Sequence, residues 1–112
     1  MKEADIVLTP LPQANGLVKH RPAILLRQMP GFGDWLVCGV SSQLHQEVAG
    51  FDDLVMVGHV DYPKSGLKVP SLIRLGFLAV LPSGRFTAVI GWISEERHQR
   101  LLIRLARFLT PV

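Results

Sequence analysis

Arg21 heads a short apolar run, His20-Arg21-Pro22-Ala23-Ile24-Leu25-Leu26. A proline pushes the residue before it into extended geometry, and it suits only the start or edge of a strand. Ala23 to Leu26 is too short and too continuous for an amphipathic helix, so the stretch reads as a strand with a charge at its mouth. A guanidinium fixed there is a natural anion site, because its planar fork matches a phosphate. Alternation puts Arg21, Ala23 and Leu25 on one face, and His20, Pro22, Ile24 and Leu26 on the other. A second set follows at Val40-Ser41-Ser42-Gln43, where two hydroxyls and an amide leave the end of another apolar strand. Such groups donate hydrogen bonds to phosphate oxygens. Each set has an ordinary alternative: a solvated arginine in a turn, and a serine turn that caps itself.

Other chemistries find little support. Four histidines (His20, His45, His59, His98) and the single Cys38 are scattered without pairs at metal-ligand spacing, so neither a zinc site nor a cofactor is expected. There is no Walker-type phosphate loop, no dinucleotide fingerprint and no G-x-S-x-G elbow. His59 and His98 stand alone and carry no catalytic inference. Trp35 and Trp92 could stack on bases, but tryptophan is mostly buried, and both are expected in the core.

The elements that must hold these residues are short. A first strand is expected over Ala4 to Thr9, ended by the breaker Pro10-Leu11-Pro12. Pro10 to Lys19 reads as a loop that brings Lys19 and His20 beside Arg21. Strands follow at about Arg21 to Gln28 and Trp35 to Ser41, joined by the turn Pro30 to Asp34. Ser42 to Gly50 is a polar loop with room for a helical turn, and Leu54 to His59 a fourth strand. Tyr62 to Gly66 is a turn. Val69 to Leu81 is a long extended stretch, bent or bulged at Gly76, and after a turn at Pro82-Ser83-Gly84 the sheet continues over Phe86 to Ile93. The pattern closes with one helix, from Ser94 as N-cap to about Leu109. Glu95 and Glu96 suit the positive end of its dipole, although Arg97 stands where a capping box would want an acid or amide. Arg97, Arg100, Arg104 and Arg107 form one stripe, expected to be a solvated face. Several short strands and one terminal helix predict a mainly β fold, a small curved sheet or barrel with the helix packed on it.

Length and composition bound the rest. Residues 1–112 make one domain. The apolar share of 48% is high for so short a chain, which predicts a homodimer that buries further surface. No apolar run approaches the roughly 18 to 20 residues that span a bilayer. Acids in Met1-Lys2-Glu3-Ala4-Asp5 and a lone cysteine predict a cytoplasmic protein. The formal charge of +3 permits a nucleic-acid partner without requiring one.

Taken in order, Ala4-Asp5-Ile6-Val7-Leu8, His20 to Leu26, Val40 to Gln43, Gly66-Leu67-Lys68-Val69-Pro70-Ser71 and Ile90-Gly91-Trp92-Ile93-Ser94 resemble the MazF/PemK family of toxins from toxin–antitoxin modules. The likeness covers nearly the whole chain, and the H-R-P strand is its most specific element. It implies a small SH3-like β-barrel of the MazF/CcdB type with a terminal helix, usually a homodimer. It implies a metal-independent endoribonuclease, an mRNA interferase that cuts single-stranded RNA at a short sequence and slows growth. It also implies a cognate antitoxin that wraps over the RNA site, here over Lys19, Arg21 and Arg74. In the family, the arginine of the R-P motif and a threonine or serine after the third strand serve the scissile phosphate, and these match Arg21 and Ser41. Lys19, His20, Ser42, Gln43 and Arg74 are then the expected RNA contacts.

Attack by a ribose 2′-hydroxyl builds negative charge on phosphorus, which Arg21 can stabilise while Ser41 orients a phosphate oxygen. The products would be a 2′,3′-cyclic phosphate and a 5′-hydroxyl. Arg21 is a poor base, since an arginine pKa stays above about 12, so the group that removes the 2′-proton is open. The family often has an acid followed by Gln or Lys in the strand after the Pro-Ser segment, where this chain has Gly76-Phe77. A binding module on the same fold, such as a CcdB-like topoisomerase poison, and a degenerate, non-cleaving homologue are the alternatives.

Overall fold

The computed structural model describes residues 1–12 and 15–111. Six strands follow along the chain: β1 (Asp5–Pro12), β2 (Val18–Gln28), β3 (Trp35–Ser41), β4 (Asp53–Val55), β5 (Ser71–Leu81) and β6 (Ala88–Trp92). A one-turn helix α1 (Tyr62–Ser65) precedes β5, and the long helix α2 (Glu95–Leu109) follows β6. The strands form one antiparallel sheet in the order β4-β5-β3-β2-β1-β6. The fold is thus mainly β, a curled half-barrel sheet with a C-terminal helix.

Irregularities in the ladders bend the sheet. Cys38 pairs with Leu78 but Gly39 with Arg74, so Leu75, Gly76 and Phe77 bulge out of β5 at the glycine expected to bend it. The buried Asp52 carboxylate accepts from the Leu75 N–H at 3.1 Å, satisfying a donor that the bulge removes from the ladder. Smaller shifts interrupt β1/β6 and β2/β3.

Both faces of the sheet are packed. Ile6, Ile24, Leu26, Cys38 and Val40 join Leu101 and Leu105 of α2 in the larger core. Val7, Ala23, Leu25, Trp35 and Val37 form a second cluster on the other face, with Leu81 and Phe86 against it. The two sets of β2 follow the alternation read from the sequence. Each fully buried Leu contributes about 1.5–3 kcal/mol, enough for two of them to hold α2 against the sheet. Ser94 caps α2, its Oγ accepting from the Arg97 N–H at 3.1 Å, as expected.

Several boundaries differ from expectation. β1 runs through Pro10-Leu11-Pro12 instead of stopping there. The Leu8 carbonyl accepts from Thr87 on the β6 side, and alternation turns Pro10 and Pro12 to that same side, beyond the last β6 partner, where no N–H is needed. Both ends of the expected loop Pro10 to Lys19 are therefore strand, Pro10 to Pro12 in β1 and Val18 to Lys19 in β2, and its Gln13 and Ala14 lie outside the described residues. β4 is three residues long because Met56 to His59 curls into a turn, with His59 N–H donating to the Met56 carbonyl at 2.9 Å. β6 begins at Ala88, since Phe86 turns away to cover the second cluster. Trp92, expected in the core, is 46% exposed on the edge strand, with the Lys2 ammonium 5.5 Å from its ring.

Candidate phosphate-binding cleft

The β2/β3 ladder ends at Ala23 and Gly39. Pro22, the next residue of β2, faces Leu8 in a pair without hydrogen bonds, so its ring nitrogen turns toward β3 and has nothing to donate. Pairing between the two strands stops at that point, and a cleft of about 420 Å³ opens beyond it. Leu8, Pro22, Val40, Leu67, Val69 and Ile90 give it an apolar floor. His20, Arg21, Ser41, Ser42, Lys68 and Ser71 supply the polar groups. No carboxylate lines it among the described residues.

Arg21 is half-buried, and its guanidinium makes no ion pair or hydrogen bond among the described residues. Its ladder partner is Thr9, whose buried hydroxyl is likewise without a partner. Ser41 Oγ accepts from the Gln43 N–H at 3.0 Å, so the serine does cap its own turn. That bond uses a lone pair and leaves the hydroxyl proton free to donate. Ser42 lines the cleft beside it, whereas Gln43 does not.

Lys68 was legible only as part of the Gly66 to Ser71 segment, and no role follows for it from the sequence. The fold carries it to the cleft. Gly66 ends α1 with φ +71°, and a Cβ there would collide with the Ile90 carbonyl. Gly91, on β6, is equally closed, since its Cβ would meet the Lys64 and Ser65 backbone. The two glycines let α1 lie directly on β6. Ser65 Oγ then donates to the Tyr62 carbonyl at 2.6 Å and accepts from Leu67 N–H at 3.1 Å, which fixes the chain leading to Lys68. A cation two residues before a proline, near a glycine, is the signal that could have singled it out.

Two more of the expected residues sit elsewhere, besides Gln43. Lys19 is exposed on β2 outside the cleft lining. Arg74 leaves β5 beside the bulge, where its guanidinium lies 3.7 Å from the centre of the Phe77 ring and donates to Gln46 Oε1 at 2.8 Å. His20, which alternation assigns to the face away from Arg21, nevertheless lines the same cleft. Arg21 is not at the mouth of its strand, since β2 begins at Val18; it is the β2/β3 pairing that stops at Ala23 and Gly39, and beyond it residues of both faces line one hollow.

The arginine stripe of α2 is only in part the solvated face expected: Arg100 and Arg107 are exposed, whereas Arg97 turns inward. Arg97 is buried and every N–H of its guanidinium is directed at an acceptor. Nε and Nη2 grip Asp61 at 2.8 and 2.9 Å, Nη1 donates to Asp53 and to the Leu54 carbonyl at 2.7 Å each, and Nη2 lies 3.3 Å from His59 Nδ1. That His59 nitrogen also accepts from Met56 N–H at 3.1 Å, so the ring proton belongs on Nε2. Arg100 and Arg104 add bonds to Asp53 and to the Asp52 carbonyl. The hydrogen bonds from Arg97 hold the Asp61 carboxyl well below the usual carboxylate range, against the opposing effect of burial. The partners lie far away in sequence, which hides this network from helical periodicity. His98 is also structural, buried with Nε2 2.8 Å from the Leu26 carbonyl.

Cys38 is no nucleophile. Burial, reinforced by Asp52 and opposed by a bond to the Ile24 backbone, pushes its thiol up to about 12. Among the described residues, no three His, Cys, Asp or Glu side chains gather where a metal ion could sit, and no helix is long and apolar enough to cross a membrane. No protein-family model matches the chain, and no curated protein does so.

Proposed function

We propose that this chain is an endoribonuclease of the MazF/PemK kind, a type II toxin on an SH3-like barrel that cuts single-stranded RNA, including mRNA, without a metal ion. One observation carries the reading. Arg21 and Ser41, distant in sequence, line one cleft where the pairing of β2 with β3 stops, with Lys68 as a second cation and no opposing carboxylate among the described residues. A surface arginine in a plain turn has no reason to share a built hollow with a hydroxyl pair and a lysine.

The chemistry follows from the side chains. Arg21 takes two oxygens of the scissile phosphate and stabilises the charge that grows as the 2′-oxygen attacks. Ser41 donates its free proton to one of those oxygens. Lys68 adds a mobile point charge for an adjoining phosphate, and the apolar floor suits the flat face of a base or ribose. The products are a 2′,3′-cyclic phosphate and a 5′-hydroxyl. A second copy is expected to cover exposed apolar side chains such as Phe77, Leu78 and Val80, and an acidic, partly disordered antitoxin segment to fold over the basic mouth.

The rival reading is a non-cleaving module of the same fold, either degenerate or CcdB-like. It is favoured by Gly76-Phe77, where the family often carries an acid. Gly76 lies in the β5 bulge and outside the cleft lining, which supports keeping the nuclease reading. Purified protein incubated with a long single-stranded RNA in EDTA tests the choice. Cyclic-phosphate and 5′-hydroxyl ends at a recurring short sequence are expected, and are lost in Arg21→Ala. Intact RNA, or ends that Arg21→Ala leaves unchanged, would refute the reading.

A further inference from the structure

Cleavage of this kind needs a group that accepts the proton of the 2′-hydroxyl. Arginine and lysine stay protonated near neutrality, and serine does not ionise there. Of the groups lining the cleft, only the imidazole of His20 belongs to the class that exchanges a proton in that range.

The placement of His20 is set by the strand. Alternation in β2 groups it with Pro22, Ile24 and Leu26, and the last two belong to the helix-covered core. The cleft continues that face outward, with Leu8, Pro22 and Val40 in its floor. His20 therefore belongs to the face that the cleft continues, and Arg21 and Ser41 line the same cleft. Its ring is exposed, and its ladder neighbour on β1 is Pro10, which has no N–H to engage it. The charged groups around it are Lys19 and Arg21 on its own strand and Lys68 from the segment before β5.

Resting on the ribonuclease reading above, we infer that His20 is the general base. A neutral ring nitrogen of His20 takes the 2′-hydroxyl proton. The 2′-oxygen forms a bond to phosphorus with its electron pair, and the bond from phosphorus to the 5′-oxygen breaks. The leaving oxygen takes a proton from water at the open mouth, and His20 returns its proton to that water. The nucleotide on the 3′ side leaves as a 5′-hydroxyl, and the other ends in a cyclic phosphate. Arg21 holds the phosphate throughout and moves no proton.

The test compares wild type, His20→Gln, His20→Ala and Arg21→Ala on one short RNA that holds a single cut site. The wild-type rate should climb with pH through the imidazole range. His20→Gln and His20→Ala should lose that limb and fall about 100- to 10,000-fold at neutral pH, with RNA affinity by fluorescence anisotropy within a few-fold of wild type. An RNA with sulfur at the bridging 5′ position needs no proton on its leaving group. The His20→Gln defect should persist on it, and recovery there would move His20 to the leaving group and overturn the assignment. Cleavage that is lost in Arg21→Ala but keeps its rate and its acid limb in His20→Gln would overturn the His20 role alone. Wild-type protein that makes no cut dependent on Arg21 would remove both proposals together. His20 is exposed, so circular dichroism should show both variants folded as wild type.

Discussion

Two hollows in this molecule are built around an arginine, and they differ in what the arginine has left to give. At the one of about 580 Å³ beside the start of α2, Arg97 is buried and its five N–H groups all meet acceptors, two carboxylates among them. At the one of about 420 Å³ between β2 and β3, Arg21 is half-buried and has no partner among the described residues. A saturated guanidinium holds a fold together. An unsaturated one over an apolar floor is available to a ligand, since polar groups shielded from water carry a cost until they are paired. The fork geometry is the same in both, and the surrounding acids decide its use: Asp53 and Asp61 crowd the first, while no carboxylate lines the second among the described residues.

The contrast breaks first at Arg97. Arg97→Ala leaves Asp61 buried without its guanidinium partner, while Asp53 keeps Arg100, and removing one member of a buried ion pair costs about 3–5 kcal/mol. Urea unfolding should show a loss of that size. A loss under about 1 kcal/mol would mean that water replaces the guanidinium freely, and the two hollows would no longer differ in kind. Arg21→Ala should give the opposite profile. Its stability should stay within about 1 kcal/mol of wild type, while RNA cleavage falls about 100- to 1,000-fold, the usual result of removing one preorganised donor. Arg21→Lys should restore only part of the rate, because an ammonium cannot hold two oxygens in one plane.

Acid sharpens the same comparison. The Asp61 carboxyl is held low in the folded chain by Arg97. A carboxyl with a depressed folded pKa contributes stability that is fully present above its unfolded value of about 4 and is lost as pH falls toward the folded value. Stability should therefore decline from about pH 5 downward. The decline should be shallower in Asp61→Asn, which starts less stable, and unchanged in Arg21→Ala, which touches no acid. Equal slopes in wild type and Asp61→Asn, followed by chemical denaturation at each pH, would break the link between Asp61 and Arg97.

How much of this was legible depended on sequence distance. β3 and α2 were readable to the residue because their signals are local: a short apolar run, and a serine before two acids. The bulge at Gly76 was readable for the same reason. The Arg21 and Ser41 site was half-legible, since a proline after the arginine and the end of an apolar strand mark both positions. Nothing local marks them as neighbours across the sheet. Arg97 was misread because its acids lie 36 and 44 residues before it, and periodicity sees only its own helix. Pro10 and Pro12 read as breakers because a sequence does not show that pairing between β1 and β6 stops at Leu8.

Ser41→Ala should separate hydroxyl from charge within the cleft. A neutral hydrogen bond contributes about 0.5–1.5 kcal/mol net, which corresponds to a roughly two- to twelvefold loss in rate. Its stability should change little, since the Gln43 N–H it releases is at an exposed turn. A loss as large as that of Arg21→Ala would give the serine a role in the transition state beyond orientation.

Arg74 is the third arginine and belongs to neither class. It is pinned, but at the surface: it stacks on Phe77 at 3.7 Å and donates to Gln46 at 2.8 Å. An exposed cation–π contact gives about 0.5–1 kcal/mol, and Gln46 offers only a neutral acceptor. The residue does not line the cleft, so it stands clear of a phosphate held by Arg21 and Ser41. Arg74→Ala should then cost about 0.5–1 kcal/mol in stability and leave the rate on a minimal RNA unchanged. On a longer RNA that runs past the cleft, the same variant should weaken binding only at low salt, since exposed charges are screened within about 10 Å at 0.1 M. Rates measured on both lengths at two ionic strengths check this. A loss on the minimal RNA equal to that of Arg21→Ala would place Arg74 at the scissile phosphate. Saturation by neighbouring acceptors would then no longer predict which arginines of this fold serve a ligand.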